Sequence, residues 1–234
     1  MQVEIVDRSE QLAQRAAETM AAHIRACIEQ RGRCLMAVSG GTEPWRAFKR
    51  LAALPVPWHA LHVLQVDERA APAGHAERNW THLEANLLQL VPIAREQCHP
   101  MPVEVAPLED GATRYAALLA MIAGSPAVLD LVHLGLGDDG HTASLLPGNP
   151  VLDVINADVA ATATYRGWRR MTLTFPVIDR ARTIFWLVSG QGKSDALRRL
   201  LAGDAGIPAG RIRRDNALLL ADRATAGPDG QDAK

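Results

Sequence analysis

His141 stands in the run Gly135-Leu136-Gly137-Asp138-Asp139-Gly140-His141-Thr142, two residues after Asp139. A carboxylate held beside an imidazole fixes its tautomer and stabilises the imidazolium formed when the ring accepts a proton. That pairing suits general-base chemistry near neutral pH. The competing reading is an Asp-rich turn with an incidental histidine. A metal centre is disfavoured, because no second His or Cys lies at ligand spacing, and neither metal nor cofactor is expected. His133, inside an apolar run, reads as a core residue and not a ligand.

A second kind of chemistry is suggested by Ser39-Gly40-Gly41-Thr42, which follows an apolar run and precedes Pro44. Glycine after a buried strand lets backbone amides approach a ligand, and the next helix adds its N-terminal dipole, so this turn can cradle a phosphate. It is neither a P-loop nor GxGxxG, since the trailing lysine and third glycine are absent. It is not the GxSxG elbow either, because Ala37 stands two positions before Ser39. That counts against a Ser-His-Asp esterase. Arg69, Arg170 and Lys193 are cations near predicted strand ends. An isolated cation is usually a solvated surface charge, but Lys193 follows Gly190-Gln191-Gly192 and opens a predicted helix, where an anion meets both dipole and ammonium.

These residues need elements to hold them. Val3 to Val6 reads as a strand, followed by a helix with Ser9 as N-cap and Leu12, Ala16, Met20, Ile24 and Ile28 on one stripe, ending at Gly32. Cys34 to Val38 is a short apolar run and reads as a buried parallel strand. Leu61 to Val66 is another, closed by a loop Asp67-Glu68-Arg69. Asn79 to Leu90 and Asp110 to Ala123 read as helices, Val128 to Leu134 and Thr183 to Val188 as strands, Ser194 to Leu201 as a helix, and Ala217 to Leu220 as a last strand. Alternating strands and helices predict a three-layer α/β/α, Rossmann-like fold with a mostly parallel sheet. Ligands bind beyond the carboxyl ends of such strands. Four loops with unusual chemistry follow apolar strands here: Ser39–Thr42, Asp67–Arg69, Gly135–Thr142 and Gly190–Lys193.

The 234 residues are 48% hydrophobic, enough for a sizeable core, and one domain over residues 1–224 is expected. The tail 225–234, with Gly, Pro, Asp and Gln, reads as disordered. A formal charge of −1 argues against nucleic-acid or membrane-surface binding, both of which need a basic surplus. Cys27, Cys34 and Cys98 are odd in number and lack CxxC spacing, which excludes a disulfide framework and a cysteine-built zinc site. No apolar run approaches a membrane span, and the N-terminus lacks a signal-peptide layout. A cytoplasmic protein, monomeric or homodimeric, is expected.

Taken jointly, Val38-Ser39-Gly40-Gly41-Thr42-Glu43-Pro44, Val66-Asp67-Glu68-Arg69, Leu134 to Ser144, Arg170-Met171-Thr172-Leu173 and Gly190-Gln191-Gly192-Lys193 resemble the 6-phosphogluconolactonase family. That family shares a superfamily with glucosamine-6-phosphate isomerase/deaminase. The resemblance runs from the first helix to about Leu201, and Asp139-Gly140-His141-Thr142-Ala143-Ser144 is its most specific part. It implies hydrolysis of 6-phospho-D-glucono-1,5-lactone to 6-phosphogluconate in the pentose phosphate pathway, with a sugar-phosphate lactone as the small-molecule partner. His141 matches the family's catalytic histidine and Asp139 its nearby acid. Gly40, Gly41, Arg170 and Lys193 match positions that hold the sugar phosphate, and Arg69 the arginine of the Asp-Glu-Arg motif. Ser39, Thr42, Asp67 and Gly140, from the same motifs, complete the expected substrate site. Where the family commonly reads Ser-Gly-Gly-Ser-Thr-Pro, Thr42 and Glu43 stand here, and Glu43 is expected to face outward so as not to repel phosphate. The related deaminases need a carboxylate five residues past the histidine, where this chain has Leu146. A noncatalytic sugar-phosphate sensor is the other alternative, disfavoured because a first helix beginning near Ser9 leaves no room for a DNA-binding module.

Overall fold

Central strands buried on both faces, with side chains alternating between them, produce the layers. The computed structural model describes residues 1–227, beginning with β1 (Gln2–Val6), α1 (Ser9–Arg31), β2 (Cys34–Val38), α2 (Thr42–Leu51), β3 (Leu61–Gln65), β4 (Asp67–Arg69) and α3 (Asn79–Asn86). There follow β5 (Cys98–His99), α4 (Leu108–Ala123), β6 (Leu131–Leu134), β7 (Val159–Ala161), β8 (Arg170–Leu173) and α5 (Phe175–Asp179). The chain continues through β9 (Thr183–Val188), α6 (Ser194–Ala202), β10 (Ala217–Asp222) and α7 (Arg223–Ala226). Seven strands form a parallel sheet in the order β1-β10-β9-β6-β2-β3-β5. On β2, Cys34, Met36 and Val38 pack with α1, α2 and α3, while Leu35 and Ala37 point to the layer of α4, α5 and α6. Burial of Leu35, Met36 and Val38 contributes ~1.5–3 kcal/mol each. The three-layer α/β expectation holds.

Chain order reverses between β2 and β6, which are neighbours in the sheet although helices and strands separate them in sequence. A crevice opens at the carboxyl ends of strands at such a switch point. The turns that follow these two strands are Ser39–Thr42 and Gly135–Thr142, so topology alone brings the glycine turn and the histidine loop together.

Several local expectations are corrected. Asp67-Glu68-Arg69 is not a loop but β4, antiparallel to β8 in a separate three-stranded sheet, β4-β8-β7. Three- and four-residue strands carry too little periodicity to be seen in sequence. Ser9 is already helical, and the α1 cap is Arg8 in extended conformation. α3 ends at Asn86, and Leu88–Leu90 is a separate 3-10 turn. β6 begins only at Leu131, because the Asp130 side chain accepts the Leu35 amide at 2.9 Å in place of a ladder bond. The tail begins later than its composition suggests. Thr225 is buried in α7, where its amide and hydroxyl both donate to Asp222 Oδ1. Residues 228–234, expected to be disordered, lie outside the described residues.

Cysteine spacing conceals one proximity. All three cysteines are free, yet Cys27 and Cys34 lie beside each other and beside Asp130, their ligand atoms within 4.8 Å. A helix end and the following strand achieve what CxxC spacing was expected to supply. Among the described residues no helix is long and apolar enough to cross a membrane.

Candidate active site

Glu68 is where the site's framework is fixed. Fully buried, it accepts the amides of Arg69, Asn79 and Trp80 and the side-chain amide of Gln65, each at 2.8 Å. Arg78 Nε lies 3.2 Å away as its charge partner. One carboxylate thus ties β4 to the start of α3. Asn79, set in place by that anchor, donates to Asp67 and accepts from Arg69 Nη1 at 2.8 Å. Its Oδ1 lies where a Cβ on Gly40 would sit, only 2.1 Å from it, so position 40 has no room for a side chain.

These elements enclose a cleft of about 620 Å³ at the carboxyl edge of the sheet. Ser39, Gly40, Gly41, Thr42, Asp67, Arg69, His141, Arg170 and Lys193 all line it, as the sequence predicts. Gly41 has φ 135°, open in practice to glycine alone, and hands the chain to the ten-residue α2 with Thr42 as its first helical residue. Ser39 is held by its amide, which donates to His133 Nδ1 at 3.2 Å, while its buried Oγ has no partner. Burial pushes the His133 imidazole down to about 3, so the ring is neutral and can accept that bond.

The cations gather from separate elements. Arg69 and Arg170 are directly opposite in the β4–β8 register and therefore on one face of the small sheet. Like charges opposite each other destabilise a pair of strands, and an anion in the cleft would relieve it. Arg170 donates to Ser144 Oγ at 3.4 Å, Ser144 donates to Asp67 Oδ2 at 2.6 Å, and burial lowers the guanidinium's affinity for its proton. Lys193 ends a 3-10 turn before α6. Burial pulls its ammonium below the ordinary lysine range, opposed by the charges of Asp138, Asp222 and Glu43.

His141 emerges from a turn that bonds to itself. Gly137 N donates to His141 O at 2.8 Å, Gly140 N to Gly137 O at 3.1 Å, and Thr142 Oγ1 to Gly135 O at 2.8 Å. Asp139 Oδ1 lies 2.5 Å from His141 Nδ1 and also accepts the His141 amide at 3.0 Å. Burial works against the Asp139 carboxylate, but the His141 amide and imidazole hold it below its ordinary range. With Nδ1 engaged as donor, Nε2 is left to accept a proton. A Cβ at Gly137 would come 2.1 Å from His141 Nδ1, so that glycine is required for the ring's position.

Two expectations change at this point. Gly140 does not line the cleft: its φ is +82°, a Cβ there would strike Ile207 at 2.6 Å, and its carbonyl accepts from Ala209. Its place is in shaping the loop. Glu43 does not face outward. It lines the cleft with its side chain only 11% exposed, 3.4 Å from Arg46 Nη1. Sequence reading also missed Tyr165, whose hydroxyl is 3.5 Å from Asp139 Oδ2 and whose ring lies 5.2 Å from the Arg170 guanidinium. The signal was the Arg166-Gly167 pair, both at positive φ in a two-residue hairpin turn between Tyr165 and Trp168.

A doubly wound α/β sheet bearing a cationic cleft and a histidine–aspartate pair defines a small-anion-binding enzyme scaffold. Comparison with known proteins narrows that class. The chain belongs to the glucosamine-6-phosphate isomerases/6-phosphogluconolactonase family, whose sequence profile matches residues 7–220. It is 36% identical over 208 residues to a 6-phosphogluconolactonase of Synechocystis, covering 87% of this chain and 86% of that one. Its fold matches a 6-phosphogluconolactonase from Trypanosoma brucei at TM-score 0.85 and 23% identity, over 96% and 97% of the two chains. A monomeric glucosamine-6-phosphate deaminase matches almost as well, at TM-score 0.83 and 19% identity over 97% and 99%, so the fold alone does not choose a reaction.

Proposed function

We propose that this chain hydrolyses 6-phospho-D-glucono-1,5-lactone to 6-phosphogluconate, with His141 as general base and Asp139 as its positioning partner. The observation that carries the reading is the 2.5 Å His141–Asp139 contact at the wall of a cleft that also holds Arg69, Arg170 and Lys193. Identity to lactonases over most of the chain supports it. Water attacks the lactone carbonyl while His141 Nε2 takes its proton; the ring C–O bond then breaks, and the proton passes to the leaving oxygen. The substrate is an activated ester, so positioning and one base suffice. Ser39 Oγ, the amides of the Gly40-Gly41 turn, Thr42, Arg69, Arg170 and Lys193 hold the phosphate and sugar hydroxyls. Asp67 keeps Ser144 and Asn79 in place at the cleft wall.

The deaminase alternative lacks its acid: Leu146, five residues past His141, is 1% exposed in the core. The reading takes residues 1–224 as one catalytic domain acting in the cytoplasm as a monomer or homodimer. Freshly generated 6-phosphogluconolactone should be consumed by the purified chain well above its spontaneous opening, while glucosamine 6-phosphate should be left untouched. The reverse preference would replace this reading with the deaminase.

A further inference from the structure

Cys27 lies on the penultimate turn of α1 and Cys34 opens β2. The chain reverses between them through Gly32, whose φ of 76° ends the helix. Both sulfurs and a carboxylate oxygen of Asp130 fall within 4.8 Å of one another, at the amino edge of the sheet, opposite the cleft. Cys27 is 5% exposed and Cys34 1%. Two thiols and a carboxylate suggest a metal site, but the carboxylate is already committed. Asp130 Oδ1 accepts from Arg31 Nε at 2.9 Å and lies 3.3 Å from Arg182 Nε, while Oδ2 accepts the Leu35 amide. A cation entering here would displace one guanidinium and sit beside another.

The same positive charges favour a thiolate. The neighbouring Cys34 lowers the Cys27 thiol's hold on its proton and Arg31 adds to the lowering, while burial and the Asp130 charge oppose it; the thiol itself donates to the Arg33 carbonyl at 3.2 Å. Cys34 is pushed up by its neighbour and by its burial. Two adjacent thiols beside a guanidinium are the arrangement of a dithiol that oxidises within the chain. Cys98, half-buried with acidic neighbours, is pushed up and belongs to no such cluster among the described residues.

We propose that Cys27 and Cys34 form a redox-active pair, converted by hydrogen peroxide to an intramolecular disulfide and restored by thiols. The Cys27 thiolate attacks the peroxide: an S–O bond forms, the O–O bond breaks, and the leaving hydroxide takes a proton to become water. Cys34 then attacks the sulfenic sulfur, forming S–S as S–O breaks, and the released hydroxide leaves as water with the Cys34 proton. Two thiols lose two electrons, and one peroxide becomes two waters.

The test uses the purified full chain, titrated with hydrogen peroxide in native buffer, alkylated, and digested with trypsin without reduction. The intact chain should lose two hydrogens in mass. The peptides Ala26–Arg31 and Cys34–Arg46 should appear joined, and dithiothreitol should separate them. Cys27→Ser and Cys34→Ala should each abolish the joined peptide while keeping lactonase turnover, because neither residue reaches the cleft. Sulfinic acid on Cys27 without joined peptides would overturn the proposal. So would a pair that stays reduced while Cys98 oxidises, or an equivalent of zinc held by the purified chain and lost in Cys27→Ser.

Discussion

Exchange of His141 for asparagine should lower kcat by ~10²–10⁴-fold, the usual size of general-base catalysis, and change KM much less. The geometry sets that pattern. His141 Nδ1 is committed to Asp139 Oδ1 at 2.5 Å, so only Nε2 is available for the water's proton. Asparagine can occupy the space and bond to Asp139, but it cannot accept a proton at neutral pH. In the proposed site the phosphate is assigned to other residues, so the loss should fall on the transition state and not on ground-state binding. Stopped-flow titration of acid release, corrected for spontaneous opening, reads kcat and KM for both proteins. Near-parental kcat in the variant would move the base elsewhere, and Asp67, which lines the same cleft, would be the first residue to examine.

Lys193→Ala should raise KM for the phosphorylated lactone by roughly 10- to 100-fold, the equivalent of the ~1.5–3 kcal/mol carried by a charge-assisted contact. Gluconolactone, which has no phosphate, should be hydrolysed nearly as well by the variant as by the parent. Equal losses on both substrates would show that Lys193 supports the fold of the Gly190 turn and does not hold the anion. A pH signature accompanies this. Burial places the ammonium below the ordinary lysine range, so its charge is lost at lower pH than an exposed lysine's. KM of the parent should therefore climb toward alkaline pH sooner than an exposed lysine would allow, and the variant's should stay flat.

Long elements and glycine turns were readable from sequence because each has a strong local cause. The stripe of Leu12, Ala16, Met20 and Ile24 is wholly buried, and Gly32 ends its helix as predicted. The Ser39–Thr42 and Gly135–Thr142 turns follow strands and meet across the switch point. What escaped depends on tertiary partners. β4 and β8 are too short to show a period, and only pairing in the small sheet, with each other and with β7, makes them strands. The outward placement expected of Glu43 rested on repulsion from a phosphate, whereas Arg46 and Lys193 supply the compensating charge. Gly140 looked like a ligand-facing glycine, but its constraint comes from Ile207, far along the chain. Asn79 carries no local mark of function, since its partner Asp67 comes from a different element, and the Arg166-Gly167 turn marks a hairpin beside Tyr165 but not its contact with Asp139.

His133 has a consequence for how the protein tolerates acid. Its ring is wholly buried and accepts the Ser39 amide only while neutral, with the folded value near 3 against an ordinary ~6.5 in the unfolded chain. Between those two values the unfolded chain binds a proton that the folded one refuses. Stability is therefore unaffected above neutrality and falls as pH drops below ~6.5, by up to ~1.4 kcal/mol per pH unit from this one group. Low-pH elution and acid precipitation should therefore cost this molecule stability that neutral buffers leave intact, readable as a Tm that falls with pH below neutrality.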